Sequence, residues 1–171
     1  MILFGVVFML IEISSFDGLN RQRLMAIYEE GNRENAAMHY PDTPPGVGLT
    51  MAEQDFLYYL REDFFKVPGA FYAIWAENDL WVSALRMEPY NDGYLLEALE
   101  THPEHRGKGY AKKLVNQVQQ MVDATIYSHV SKKNGASLTI HKACGFQTAL
   151  DYAVYLDGSV SRGAITLRYD K

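Results

Sequence analysis

The sequence predicts an α/β (α+β) fold in which helices flank a mixed sheet, and three observations support this. Segments typical of strands alternate with segments whose apolar residues recur every three or four positions, as in helices. Turn signals rich in glycine, proline, asparagine and aspartate separate these segments. The resulting order is β–α–α–β–β–β–α–β–α–β–β, without a repeat or low-complexity tract. Residues 1–171 are therefore expected to form a single domain.

The N-terminal part of the chain is predicted to form a strand and a helix. Its opening apolar run ends at Glu12, so it is too short to span a bilayer, and it lacks the basic start of a signal peptide. We interpret this run as a buried first strand, and leave open whether the chain starts at Met1 or at Met9. Helical spacing follows over about residues 18–38, with a weak point at Gly31.

A second helix is expected to begin at Thr50, because Thr50 and Glu53 fit a capping box. Its buried face is expected to comprise Phe56, Leu57, Leu60 and Phe64. After Gly69 the pattern changes to that of strands. The remaining predicted elements are strands at 70–76, 80–88, 95–101, 125–130, 146–156 and 164–169, and helices that begin near Gly109 and at Asn134, the latter ending at Gly145.

The most informative stretch is the loop RGKGYA, residues 106–111, which joins a strand to an amphipathic helix. Gly107 and Gly109 allow close backbone approach and positive φ. A helix that starts at Gly109 directs unpaired N–H groups and the positive end of its dipole into the same space, where Arg106 and Lys108 add charge. This combination favours a phosphate or pyrophosphate, although an ordinary tight turn is the alternative.

Two common phosphate-binding motifs do not fit this loop. A Walker A motif would need glycine at His102 and serine or threonine at Gly109. The dinucleotide-binding fingerprint would need glycine at Lys112.

The pattern that does fit is [Q/R]-x-x-G-x-[G/A], present as Arg106-x-x-Gly109-x-Ala111. With the preceding strand it resembles the acetyl-CoA site of the GNAT N-acetyltransferase superfamily. A second signature lies downstream, where the segment from Asn134 to Phe146 is similar to that family's N-x-x-A-x-x-L-Y-x-x-x-G-F. The resemblance covers about residues 95–146 and implies a mixed central sheet of about seven strands flanked by about four helices.

The resemblance also implies where acetyl-CoA, as co-substrate, would bind. Backbone groups around Glu100 would pair with the pantetheine arm, and amides of the loop would hold the pyrophosphate. The residues implied for cofactor binding are Leu99, Thr101, Arg106, Gly107, Lys108, Gly109, Tyr110, Ala111 and Asn134.

Four residues are candidates for catalysis. His141 stands where the family often has the tyrosine that protonates the leaving thiolate, and an imidazolium can also donate a proton. Glu97 and Glu100 lie on the central strand, where their odd separation predicts opposite faces. His129, on the next strand, could take an amine proton directly or through water. The sequence leaves open which of these three is the base, or whether water alone serves.

Charge and residue composition exclude several classes of partner and cofactor. The net charge of −5 argues against nucleic acid or an anionic membrane as the main partner. The single cysteine, Cys144, excludes an internal disulfide and fits a reducing cytoplasm, and it is expected to be a buried thiol. His102 and His105 lack an evident third ligand, so no metal is expected.

The sequence therefore predicts a cytoplasmic N-acetyltransferase domain that transfers acetyl directly from acetyl-CoA to a primary amine. The acceptor is expected to be a small molecule, because no acidic recognition tract indicates a peptide; a protein N-terminus or lysine is the alternative. A homodimer is left open. The rival function is that of a non-catalytic acyl-CoA-binding or sensing domain.

Overall fold

A computed structural model describes residues 7–171, which form a central sheet with helices on both faces. The strands are β1 (Phe8–Ile13), β2 (Phe71–Glu77), β3 (Leu80–Tyr90), β4 (Gly93–Thr101), β5 (Thr125–Ser131), β6 (Gln147–Leu150), β7 (Ala153–Val154), β8 (Val160–Ser161) and β9 (Ala164–Tyr169). Seven of them form one sheet in the order β1-β2-β3-β4-β5-β9-β6, whereas β7 and β8 pair separately. Only β4 and β5 are parallel neighbours in the described sheet.

The helices divide into two layers because their apolar faces pack on opposite sides of the sheet. They are α1 (Arg21–Ile27), α2 (Glu29–His39), α3 (Pro45–Glu62), α4 (Tyr110–Met121) and α5 (Gly135–Ala143). On one face, α4 buries Leu114 and Val118 in a core with Leu85 of β3. On the other face, α1 and α3 bury Leu24 and Leu60 against β2 and β3. This arrangement confirms the predicted α/β fold with a seven-stranded mixed sheet.

The predicted weak point of the first helix at Gly31 is wrong. The chain breaks at Tyr28, which ends α1 and precedes α2 with φ −92° and ψ 11°. The buried phenol of Tyr28 donates a hydrogen bond of 2.6 Å to the carbonyl oxygen of Ala98 in β4. This tertiary contact fixes the chain at Tyr28, whereas Gly31 lies inside α2.

The predicted start of the second helix at Thr50 is also wrong. α3 begins at Pro45, whose fixed φ suits the first position of a helix. The hydroxyl of Thr50 donates to the carbonyl of Gly46 at 3.0 Å inside the helix, so it does not cap a terminus. Gly48 is buried in α3, where an added Cβ would lie 2.8 Å from the Thr43 hydroxyl, so a close approach favours glycine there.

The two ends of the sheet differ from the sequence prediction as well. β1 is an edge strand in which only Ile13 is buried, and residues 1–6 of the predicted buried strand lie outside the described residues. The strand predicted at 146–156 is divided into β6 and β7, with a register shift against β9. The other predicted strands and both C-terminal helices are confirmed within one or two residues. Within residues 7–171, every helix is too short or too polar to cross a membrane.

Candidate active site

Two irregularities in β4 open the sheet at its centre. β4 and β5 are paired from Gly93 opposite Thr125 as far as Leu96 opposite Ser128, where the paired register ends. Ala98 then adopts a φ of 49°, which is unusual for a residue with a Cβ. It occupies a β-bulge, because three residue steps along β4 match two along β3.

The bulge corrects the expectation that Glu97 and Glu100 lie on opposite faces. Glu97 is opposite Arg86 of β3, and Glu100 is opposite Ala84. Arg86 and Ala84 are two residues apart and so lie on the same face, which places both glutamates on the face covered by α1 and α3. The odd separation would have given opposite faces only in a regular strand.

A cavity of about 400 Å³ lies where β4 meets the loop before α4, and we call it the loop cavity. All the residues predicted for cofactor binding line it except Lys108. Its lining residues are Leu99, Glu100, Thr101, His105, Arg106, Gly107, Gly109, Tyr110, Ala111, Lys112, Asn134, Ala136, Ser137 and Ile140. The sequence analysis missed the contributions of Lys112 and of the first turns of α5.

The backbone of this loop leaves donors free. Gly107 and Gly109 have φ values of 76° and 77°, and a Cβ added at either would meet open space. The Lys113 N–H donates to the Gly109 carbonyl at 3.1 Å, the first i→i−4 bond of α4. The amides that precede Lys113 are therefore the unpaired donors of a helix N-terminus, and they lie at the wall of the loop cavity.

The charged side chains of the loop are partly committed to the protein. Arg106 forms ion pairs with Glu30 of α2 and, at 3.0 Å, with Glu100 of β4. These partners, Glu30 first, raise the pKa of Arg106. Lys108 is exposed, with its Nζ 3.4 Å from the ring of His105.

Two predicted cofactor residues also have structural roles. The Tyr110 hydroxyl donates to Glu77 at the end of β2, which anchors the first turn of α4. Asn134 caps α5, since its Oδ1 accepts from the Ser137 N–H at 3.0 Å. Both side chains are therefore held in place at the edge of the loop cavity.

A second cavity, of about 660 Å³, lies between α2, α3, the bulge of β4 and Tyr28 at the junction of α1 and α2, and we call it the helix cavity. Its lining residues are Tyr28, Gly31, Asn32, Asn35, His39, Tyr40, Ala52, Asp55, Phe56, Tyr59, Arg86 and Ala98. Phe56, which was predicted for the buried face of its helix, lines this cavity together with Tyr59.

A small cleft of about 170 Å³, which we call the bulge cleft, is adjacent to both cavities and shares lining residues with each. It shares Leu99, Asn134 and Ser137 with the loop cavity and Ala98 with the helix cavity. Three of the four predicted catalytic residues line it, namely Glu97, His129 and His141. The fourth, Glu100, lines the loop cavity and is paired with Arg106.

His141 is 1% exposed, and its bonding defines its tautomer. Its Nδ1 lies 2.8 Å from the carbonyl oxygen of Ser137, which only accepts, so Nδ1 carries a hydrogen. Nε2 is buried without a partner among the described residues. Burial lowers the pKa of His141, so the ring is neutral at neutral pH with a free lone pair on Nε2.

His129 is enclosed by aromatic rings. The rings of Tyr90 and Tyr155 each lie 5.4 Å from its own in edge-to-face geometry. Thr166 donates its hydroxyl hydrogen to the Tyr152 carbonyl, so at 3.2 Å it accepts from His129 Nδ1. Burial lowers the pKa of His129.

Glu88 is a residue that the sequence analysis missed. It is 5% exposed on β3, on the same face as Glu97, and its Oε1 is buried without a hydrogen-bond partner among the described residues. Burial, and then the neighbouring carboxyl group of Glu97, raise the pKa of Glu88 to about 7. The alternation Arg86-x-Glu88, which places two charged residues on one face of an otherwise apolar strand, was the available signal.

The structure also shows the surroundings of the other potentially reactive residues, the loop histidines and the single cysteine. Within residues 7–171 no group of three or more potential metal ligands comes together. His102 accepts a hydrogen bond of 3.3 Å from the Glu104 N–H, as a loop residue would. Cys144 is buried, as predicted, and burial raises the pKa of its thiol.

Comparison with protein families accounts for this architecture. The sequence model of the Acetyltransferase (GNAT) family matches residues 27–146, which include both cavities and the bulge cleft. The chain therefore belongs to the GNAT acetyltransferase family. A search of curated protein sequences finds no match.

Solved structures of acetyltransferases share the fold at low sequence identity. A PaiA N-acetyltransferase from Thermoplasma acidophilum, in complex with coenzyme A, is similar with a TM-score of 0.64 and 10% identity, over 96% of this chain and 99% of that one. The ribosomal-protein-S18-alanine N-acetyltransferase of Escherichia coli gives 0.57 and 16%, over 95% and 92%. A spermidine N-acetyltransferase SpeG chimera from Vibrio cholerae and hSSAT gives 0.57 and 16%, over 95% and 94%.

Proposed function

We propose that this protein is an N-acetyltransferase that moves the acetyl group of acetyl-CoA directly to a primary amine of a small molecule. The observation that carries this proposal is that the bulge cleft shares lining residues with both the loop cavity and the helix cavity. The loop cavity suits the phosphates of a nucleotide, and the helix cavity suits an acceptor. The residues able to transfer protons line the bulge cleft between them.

The residues of the loop cavity fit acetyl-CoA. Free amides at the start of α4 are directed toward bound phosphate, and the missing Cβ atoms of Gly107 and Gly109 leave room for its approach. Lys112 adds a positive charge at the wall of the cavity. The similar PaiA enzyme was crystallised with coenzyme A, which supports the same class of ligand here. When bound, acetyl-CoA supplies an activated acetyl thioester.

Proton transfer is assigned to two residues of the bulge cleft. Glu97 takes the proton that the acceptor ammonium must lose, because it lines the bulge cleft, whereas Glu100 lines the loop cavity and His129 is enclosed by tyrosines. His141, neutral at rest with a free Nε2, takes the proton released from nitrogen in the tetrahedral intermediate. It then gives that proton to the departing sulfur, so it serves as the acid.

The helix cavity supports a small-molecule acceptor. Its volume of about 660 Å³ lies within the usual range for small-ligand sites, about 300–1,000 Å³. Similar folds serve both kinds of acceptor, since one neighbour is named for spermidine and another for an alanine of ribosomal protein S18. The choice of a small molecule therefore depends on the cavity itself.

The first experiment is thermal unfolding with acetyl-CoA, CoA, ATP and NAD at equal concentration. Ligand at about a hundred times its Kd adds roughly 2.7 kcal/mol, which raises the Tm of a domain of this size by about 5–10 °C. A shift with acetyl-CoA and CoA alone supports the loop cavity as their site. An equal shift with ATP, or none with CoA, overturns the proposal.

The second experiment measures thiol release across a panel of small amines and of peptides with free N-termini. Turnover of a small amine supports the proposed acceptor class, and turnover of peptides alone contradicts it. Binding of acetyl-CoA without turnover of any amine would favour the rival function of a non-catalytic acyl-CoA sensor.

A further inference from the structure

Two carboxyl groups lie on one face of neighbouring strands beneath the bulge cleft. Glu97 of β4 is opposite Arg86 of β3, and Glu88 is two residues further along β3, so the two glutamates occupy diagonal positions on the same face. Glu88 is 5% exposed and its Oε1 is buried without a hydrogen-bond partner among the described residues, so the protonated form of this carboxyl group is favoured over an unsatisfied buried charge.

The charge balance around the pair leads to the same conclusion. Arg86 lies on the same face of β3, with its Nη2 3.6 Å from Glu97 Oε2 and its guanidinium over the ring of Tyr59 at 5.0 Å. One cation thus faces two carboxyl groups that are largely removed from water. A single shared proton leaves one negative charge opposite one positive charge, which is the least costly state for a buried group of this kind.

The other titratable groups that face the pair do not supply a second charge. Tyr59 of α3, Tyr72 of β2 and His129 of β5 approach it from the neighbouring elements. Burial raises the pKa of both tyrosines and lowers that of His129, so all three are neutral near pH 7. Arg86 is the group among them that carries a permanent charge.

The two members of the pair differ in their access to the site. Glu97 lines the bulge cleft beside Ala98, whereas Glu88 is buried behind it. Oε1 of Glu88 has no hydrogen-bond partner among the described residues. Glu88 can therefore act on an acceptor only through Glu97.

We propose that Glu88 and Glu97 act as one proton-sharing pair, in which Glu88 is a positioning residue that tunes Glu97 as the base toward the acceptor amine. This inference rests on the proposed acetyl transfer. The ammonium gives its proton to the doubly ionised pair, and the amine lone pair then forms the C–N bond. The C–S bond breaks with its electron pair on sulfur, which receives the proton that nitrogen releases.

The test compares Glu88→Gln with the wild type and with Glu12→Gln, a control on the exposed edge strand. Glutamine keeps the volume and a hydrogen-bond donor toward Glu97 but cannot share a proton. In the wild type, kcat/KM should rise with pH through about 7, where the pair loses its shared proton. In Glu88→Gln the rise should move to lower pH by at least about one unit, because the neighbouring carboxyl is gone.

The size of the change in kcat also shows whether Glu88 tunes the base or only supports the fold. Glu88→Gln should lower the high-pH plateau of kcat several-fold with an unchanged KM for acetyl-CoA, because the pair loses its second ionisable carboxyl group. Glu97→Gln should lower kcat by about a hundredfold or more and remove the rise. A pH profile in Glu88→Gln identical to that of the wild type overturns the inference.

A second measurement does not depend on activity. Burial raises the pKa of Glu88 from 4.5 to about 7, so the folded protein binds the additional proton between these values. Relative to Glu88→Gln, the wild type should therefore lose stability toward urea as pH rises from about 4.5 to about 7. Equal pH dependence in the two proteins overturns the shared proton.

The two measurements distinguish the ways in which the proposals could fail. If acetyl-CoA binds and no amine is acetylated, while the stability difference persists, the proposed function is overturned and the shared proton is supported. If amines are acetylated and neither profile differs between Glu88→Gln and wild type, the inference is overturned and the proposed function stands.

Discussion

The two cavities next to the β4 bulge are built in different ways. The loop cavity is formed largely by backbone within residues 99–112, with additions from the start of α5. The helix cavity is formed by residues of two helices, two strands and the Tyr28 junction, which are up to seventy residues apart in sequence. Side-chain substitution can change the chemistry of the helix cavity while the backbone of the loop cavity is unchanged. The loop cavity is therefore suited to a fixed ligand and the helix cavity to a variable one.

The largest effect is expected at the boundary between the two cavities. His141→Phe should lower kcat by about a hundredfold or more, because the group that gives sulfur its proton is lost. Its Kd for acetyl-CoA, measured by calorimetry, should stay close to that of the wild type, since His141 lines the bulge cleft and lies outside the loop cavity. An unchanged kcat would exclude His141 as the acid, and the bulge cleft would then lack its proposed proton donor.

A substitution confined to the backbone of the loop cavity should affect binding alone. Gly109→Val places a branched side chain at φ 77° on the side from which phosphate would approach, so the affinity for CoA should fall at least about tenfold. Gly158→Val is the matched control, because Gly158 has φ 81° and open space in the turn between β7 and β8. Both variants should lose about 1–2 kcal/mol of stability. Equal affinity for CoA in the two would contradict the proposed placement of the cofactor.

The bulge is supported from the helix side by Tyr28. Tyr28→Phe removes the 2.6 Å hydrogen bond to the Ala98 carbonyl and should destabilise the protein by about 1–3 kcal/mol in urea unfolding. Tyr58→Phe is the control, because Tyr58 is 59% exposed on α3. If both variants unfolded at the same urea concentration, the contact would not hold the helix layer to the bulge.

The smallest effect concerns the ion pair between the two sides. Glu30→Gln should free Arg106 for phosphate and tighten binding of CoA by up to about fivefold, because exposed ion pairs are worth at most about 1 kcal/mol. The gain should shrink as salt is raised. Glu34→Gln, on an exposed position of the same helix, is the control for a general change in charge. Weaker binding in Glu30→Gln would show that the pair orders the loop for its ligand.

The difference between the two cavities also explains where sequence reasoning succeeded. The strand, loop and helix that form the loop cavity were predicted because each depends on local signals, such as glycines that allow positive φ and the apolar stripe of α4. The cap of α5 at Asn134 and its end at Gly145 were predicted for the same reason. Both conform to rules that operate within a few residues.

The helix side was predicted less well because tertiary contacts override its local signals. The capping-box pattern at Thr50 was outweighed by Pro45 and by the packing of Gly48 against the preceding loop. The break at Tyr28 depends on a hydrogen bond to a residue seventy positions away. Sequence spacing along one helix could not indicate either outcome.

The sequence by itself determined the class of fold, the order of its elements, and the loop with free amides that marks the GNAT family. The tertiary structure decided which carboxyl groups share a face of the sheet. One additional residue at Ala98 places Glu100 on the face of Glu97, and the register of β3 places Glu88 on that face as well. The physical reason is that register depends on how residues of neighbouring strands pair with each other. A bulge changes this pairing without a recognisable signal in the local sequence.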